Sequence, residues 1–179
     1  MDQIFDLRQN LPFLNGLYIA VSAVKDAYLV VDGPYCVFQK AEIHAAHDLK
    51  NTFVSNTGAG RIIHTDLHFN TNVAYNVTLD RGHDIEEVLK KVSKIDGAGV
   101  VFLTSMDFHQ ILSVPLERYR RSAAIEGRAP IILVETRSLE GDWLDGYSRL
   151  VCKLAENIAI GTGKTEKDKV AIVGHLMDR

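Results

Sequence analysis

The stretch VDGPYCVFQKAEIHAAH, residues 31–47, sets Cys36 between a Gly-Pro turn and the start of a helical pattern. A thiol close to a helix N-terminus gains thiolate character from the helix dipole and the unpaired N–H groups, which suits nucleophilic attack or metal ligation. The plainer alternative is a small apolar group packed under a sheet edge. The other cysteine, Cys152, falls on the apolar stripe of a helical pattern over 144–160 and reads as packing. Two distant cysteines in a chain with no sign of secretion read as free thiols rather than as a bridge.

Histidines supply the next candidates. In HTDLH, His64, Asp66 and His68 would point to one side of an extended segment, and that trio suits a divalent metal, although a further carboxylate cannot be placed. His44 and His47, three apart on a helical pattern, are more often a solvated face than a metal pair. GTGKT at 161–165 resembles a phosphate-binding loop, but Ile158 stands where the loop's first glycine belongs, and the motif follows a helix instead of a strand. NTGAGRII and DGAGVVF lack a third glycine and lead into strands, so both read as turns. There is no G-x-S-x-G nucleophile elbow.

The elements that must hold these residues are legible as continuous apolar runs: AYLVV at 27–31, RIIHT at 61–65, GVVFLT at 99–104, PIILVE at 130–135 and KVAIVG at 169–174. Runs of this kind are strands buried on both faces, hence a parallel sheet. Helical periodicity fills the intervals, over 13–27, 36–50, 83–95, 114–127 and 144–160. The 83–95 segment is best marked, with Asp84, Glu86 and Glu87 at its start, Lys90, Lys91 and Lys94 towards its end, and Gly97 after it. The fold class expected is α/β, a Rossmann-like or flavodoxin-like parallel sheet with helices on both faces.

In such sheets ligands bind beyond the carboxyl ends of the strands. Those ends carry Cys36, then Asp66 and His68, then Met106, Asp107 and His109, then Glu135 and Arg137.

Length and composition bound the rest. The 179 residues suffice for a single α/β domain spanning 1–179. A net charge of -3 leaves no basic surplus for phosphates, which argues against nucleic acid as the main partner. No basic leader precedes an apolar run, and LYIAVSAV is too short to cross a bilayer, so the expectation is no membrane and a cytoplasmic protein.

The order of DGPYC after one strand, SMDFHQIL after another, then VETRSLEGDWLDGYSRLVCKLAENI and KVAIVG, resembles the first Rossmann-like domain of the nitrogenase component 1 family. That family includes the molybdenum-iron protein subunits, their cofactor-assembly scaffolds and the related tetrapyrrole reductases. The resemblance implies an oxidoreductase that accepts electrons from an ATP-dependent iron–sulfur partner through an interface cluster, and a homo- or hetero-oligomer of component 1 type subunits. Cys36 would sit in the family's cluster-ligating turn. Asp107 stands where a second ligand cysteine falls, and no cysteine occupies the region of Asn10 to Pro12 where an earlier one lies. Two copies of Cys36 and Asp107 would then supply the four ligands of a [4Fe-4S] cluster, with His109 or His68 behind them or facing substrate. A chain ending soon after KVAIVG would be the N-terminal domain of a longer subunit.

Two other classes remain open. One is a non-catalytic Rossmann-like module that binds a small molecule, a metal or a subunit and has lost the cluster. The other is a divalent-metal enzyme built on HTDLH.

Overall fold

A computed structural model describes residues 12–33, 61–65, 82–106, 114–136 and 141–157. Their elements, numbered here in chain order, are α1 (Phe13–Ala23), β1 (Ala27–Asp32), β2 (Ile62–His64), α2 (Gly82–Ser93), β3 (Val100–Ser105), α3 (Leu116–Glu126), β4 (Ile131–Leu133) and α4 (Trp143–Asn157). The strand and helix expected over 169–174 and 36–50 lie outside the described residues.

The four strands are parallel and ordered β2-β1-β3-β4. Every residue of β3 is buried and all but one of β1, as expected for strands covered on both faces. Leu29 pairs with Ile62 on one side and with Phe102 on the other, and Val101 pairs with Ile131. From β1 the chain steps outwards to β2 and then returns to place β3 on the opposite side. The β1/β3 boundary is therefore the topological switch point, where open α/β sheets form their ligand crevice.

Alternation along the strands feeds two cores. Leu29, Val31, Phe102 and Ile132 meet Leu17, Tyr18 and Val21 of α1 and Leu150 of α4. Val30, Val101, Leu103 and Ile131 meet Ile85 and Leu89 of α2 and Tyr119 of α3. The α/β fold with helices on both faces is thus the architecture of the described chain. Each fully buried leucine or phenylalanine contributes about 1.5–3 kcal/mol relative to leaving it in water.

The helix pairs hold together by different means. On α1 and α4 the contact is backbone on backbone: a Cβ at Gly16 would collide with the Trp143 carbonyl, and one at Gly146 with the Phe13 carbonyl. The antiparallel bridge between Pro12 and Asp142 ties the two helix starts together. Between α2 and α3 the outer contacts are polar, with Lys90 Nζ 2.8 Å from Glu126 Oε1 and the Ser122 hydroxyl donating to Glu86 at 2.9 Å.

The best-marked helix of the sequence runs from Gly82 to Ser93, followed by Gly97 at φ 82°, a left-handed position that suits glycine. Cys152 corrects the expectation placed on it. It is exposed on α4, whose inner face is formed by Gly146 and Leu150 with Leu154 packed alongside. No helix among the described residues is long and apolar enough to cross a membrane.

Candidate functional site at the carboxyl edge

Most of the buried polar residues gather at one end of the sheet, with Asn15 on α1 and Ser93 at the end of α2 standing apart. Asp32, His64, Thr65, Thr104, Ser105 and Thr136 are all buried, and all stand at or just beyond the carboxyl ends of strands. Burying a polar group costs free energy unless it is hydrogen-bonded, so such a row needs partners.

Several of those partners are neighbouring strands. The Thr65 hydroxyl donates to Asp32 Oδ1 at 3.0 Å and accepts from the Gly33 N–H at 3.2 Å, linking the ends of β2 and β1. The Met106 N–H donates to the Asp32 carbonyl at 3.0 Å, linking β3 to β1. The Thr104 hydroxyl donates to the Val134 carbonyl at 2.8 Å, which continues the ties to β4. Register places Asp32 opposite Ser105, and Thr65, just beyond β2, is hydrogen-bonded to Asp32, so the three residues stand at the neighbouring ends of β2, β1 and β3.

Gly33 is the first residue after β1, and it is fitted closely. A Cβ there would lie 2.5 Å from both Cγ and Sδ of Met106, so the thioether occupies the space that any other residue's side chain would need. The segments that leave the sheet after Gly33 and after Met106 therefore start in contact.

His64 is placed differently from the sequence expectation. It shares a face with Ile62 and is completely buried; its Nε2 is hydrogen-bonded to the Tyr18 hydroxyl at 3.2 Å, and the two rings lie 6.0 Å apart. His64 is thus part of the α1 core beside Tyr18. Asp66 and His68 lie outside the described residues, as do Cys36, His44, His47, Asp107, His109 and Arg137. Among the described residues there is no cluster of three or more histidine, cysteine, aspartate or glutamate side chains of metal-binding form.

Glu135, beyond β4, is exposed and lies 3.7 Å from Arg149 of α4. The start of α4 is closed by its own side chains: Asp142 Oδ1 accepts from the N–H groups of Leu144 and Asp145, and Asp145 Oδ2 accepts from the N–H of Asp142. On α3, the Arg120 guanidinium, with Arg121 beside it, pushes the Glu117 carboxyl down to about 2. Burial raises the Tyr147 hydroxyl above its ordinary value.

The polar row of Asp32, Thr65 and Ser105 went unremarked at the level of sequence. The signal was present in VVDG and HTD, where an apolar run ends on a carboxylate or a hydroxyl instead of passing directly into a turn.

No protein-family model matches the chain, and no curated protein matches it. Among solved structures it is similar to a nitrogenase, described as Cp1 at pH 6.5, with a TM-score of 0.62 and 13% identity over 85% of this chain. The match covers 31% of the nitrogenase chain, so this sequence spans about a third of that protein's length. At such identity the likeness is one of fold.

Proposed function

We propose that the chain is a nitrogenase component 1-like oxidoreductase module, corresponding to the first domain of a larger subunit. In this reading it accepts electrons from an ATP-dependent iron–sulfur partner through a cluster held at the carboxyl edge. The observation that carries the reading is the contact between Gly33 and Met106 at the switch point. Cys36 lies three residues beyond the first, and Asp107 directly follows the second. The fold-level likeness to a nitrogenase supports the same assignment.

The donor set fits a cluster that is shared between copies. The chain has two cysteines, and Cys152 is exposed nine residues into α4, about 14 Å along a helix that runs away from this edge. One thiolate and one carboxylate per copy, Cys36 and Asp107, then give four ligands across a pair of chains. Bound there, a [4Fe-4S] cluster supplies one-electron transfer, and an oxygen ligand in place of a thiolate shifts its potential. His68 and His109 are the residues proposed to hydrogen-bond the ligands or face the substrate.

The test is anaerobic reconstitution with iron and sulfide. The expected result is about four irons per two chains and an electron paramagnetic resonance signal on reduction, both lost in Cys36→Ala while the melting temperature stays the same. Iron content unchanged in that variant overturns the assignment.

The scarcity of thiols favours one other reading, a Rossmann-like module that binds a small molecule, a metal or a subunit without a cluster. A colourless, well-folded protein that takes up no iron, yet melts higher with a ligand, would establish it.

A further inference from the structure

The outer face of α3 is basic in a chain that is acidic as a whole. Tyr119 and Ala123 of this helix are buried, while Arg118, Arg121, Ala124 and Ile125 are exposed. Arg118 and Arg121 lie within about 40° of Ile125 round the helix, one on each side of it, so the isoleucine stands between two arginine stems on the side away from the core. Arg128, two residues beyond the helix end, is exposed as well.

The carboxylates of α3 do not neutralise this face. Glu117 pairs with Arg120 and Arg121, each at 2.7 Å, and Glu126 is taken up by Lys90 at 2.8 Å and Lys94 at 3.7 Å. The guanidinium groups of Arg118 and Arg128 make no ion pair or hydrogen bond among the described residues. Residues 116–128 hold four arginines against two glutamates, although the formal net charge of the whole chain is -3. Ile125 is 86% exposed, and the next most exposed large apolar side chain among the described residues, Ile95, is 40% exposed. A lone exposed isoleucine is ordinary. One set among arginines has the composition of an interface, where an apolar centre is ringed by charged groups and arginine is enriched.

We propose that this face of α3 is a docking surface for an acidic protein segment, whose carboxylates pair with Arg118, Arg121 and Arg128 while an apolar side chain between them covers Ile125. Charge complementarity selects this occupant, because the forked donors of a guanidinium match a carboxylate bidentately. An anionic membrane fits less well, since the apolar side of α3 is spent on the core and one isoleucine is too little to anchor a helix. Nucleic acid is disfavoured by the net negative charge and by Glu117 beside Arg121. The inference is independent of the cluster reading, because every residue it uses belongs to α3 or the turn that follows.

The experiment titrates the full chain with a fluorescein-labelled peptide that carries glutamates on both sides of a central leucine, and follows fluorescence anisotropy at low and at raised salt. A peptide with glutamine in place of glutamate is the reference. The parent is expected to bind the glutamate peptide and not the glutamine one, and to lose affinity as salt is added. Arg118→Gln combined with Arg128→Gln should weaken binding about tenfold and flatten the salt dependence, and Ile125→Ser should weaken it about fivefold. Lys25→Gln combined with Lys91→Gln removes the same charge from other exposed positions and should leave affinity within about twofold. All these sites are exposed, so the melting temperatures are expected to stay close to the parent's.

Equal affinity for the two peptides overturns the proposal, as does an equal loss in the two double variants, which would reduce the effect to overall charge. Tighter binding to phosphatidylserine vesicles or to single-stranded DNA, lost in the arginine variant, overturns it in favour of a membrane or a nucleic acid. Dimerisation of the protein alone, seen in sedimentation and lost in Ile125→Ser, overturns it in favour of a second copy.

Discussion

At the amino end of β1 and β3, the Gly99 N–H donates to the Asp26 carbonyl at 2.9 Å, and Arg61 reaches back to the carbonyls of Ser22, Val24, Lys25 and Ala27. These bonds pair a carbonyl in the last turn of α1 and those of the connection into β1, groups that a helix end and a turn leave without partners. At the carboxyl end of the same strands, Asp32, Thr65, Thr104 and Ser105 are buried, and their bonds run between strands that have just finished pairing. One edge spends its polar groups on capping the chain. The other holds a carboxylate and hydroxyls inside the protein, at a cost in desolvation, where three strand ends release the segments with the chemistry-bearing residues. The difference supports the proposal that the carboxyl edge is the working edge of the fold.

The largest effect expected near that edge is steric. Gly146→Leu would drive a side chain into the Phe13 carbonyl and separate α1 from α4 where they begin. A loss of about 3 kcal/mol or outright failure to fold is expected, read by chemical denaturation. Arg61→Met breaks the amino edge instead. It removes several charge-assisted bonds to carbonyls and should cost about 1–2 kcal/mol, while leaving iron uptake and Cys36 reactivity as they were. A change in either would mean that the two edges are not independent.

Glu117 and Cys152 sharpen the comparison from outside it. The Glu117 carboxyl is held at about 2, well below its ordinary 4.5, chiefly by the hydrogen bond from Arg120, with Arg121 adding to it. A depressed carboxylate stabilises the fold above pH 4.5 and loses that contribution as the pH falls towards 2. Glu117 is 42% exposed, so screening reduces the effect to about 0.5 kcal/mol, and the gap between wild type and Glu117→Gln should close in acid melting curves. Cys152→Ser should change stability by less than about 0.5 kcal/mol, because the thiol is exposed. A larger loss would show that α4's outer face is covered in solution.

How much of this was legible in the sequence depended on the physical signal each residue leaves. The runs around Leu29, Phe102 and Ile132 announced buried parallel strands because both faces of each strand are apolar, and the sheet follows them to within a residue or two. Cys152 misled because hydrophobic residues surround it. Leu150 and Leu154, four apart, mark the buried stripe, whereas Cys152 is two residues from each and lies about 200° round the helix. The burial of His64 was not legible, because strand alternation says which residues share a face but not which face is core, and its partner Tyr18 lies 46 residues earlier. The Asp32–Thr65–Gly33 tie joins positions some 30 residues apart and has no local signature. Cys36, Asp107, His68 and His109 lie outside the described residues, so their roles rest on the segments they follow.

The central claim, that the carboxyl edge is the working edge, is tested most directly by amide hydrogen exchange on the chain before and after anaerobic loading with iron and sulfide. Protection is expected to rise at Asp32, Gly33, Thr65 and Ser105–Met106 and to stay constant at Ala98–Gly99 and the turn at Lys25–Asp26. Protection that rises at the amino-edge turns, or spreads evenly over both ends of the strands, would contradict the account.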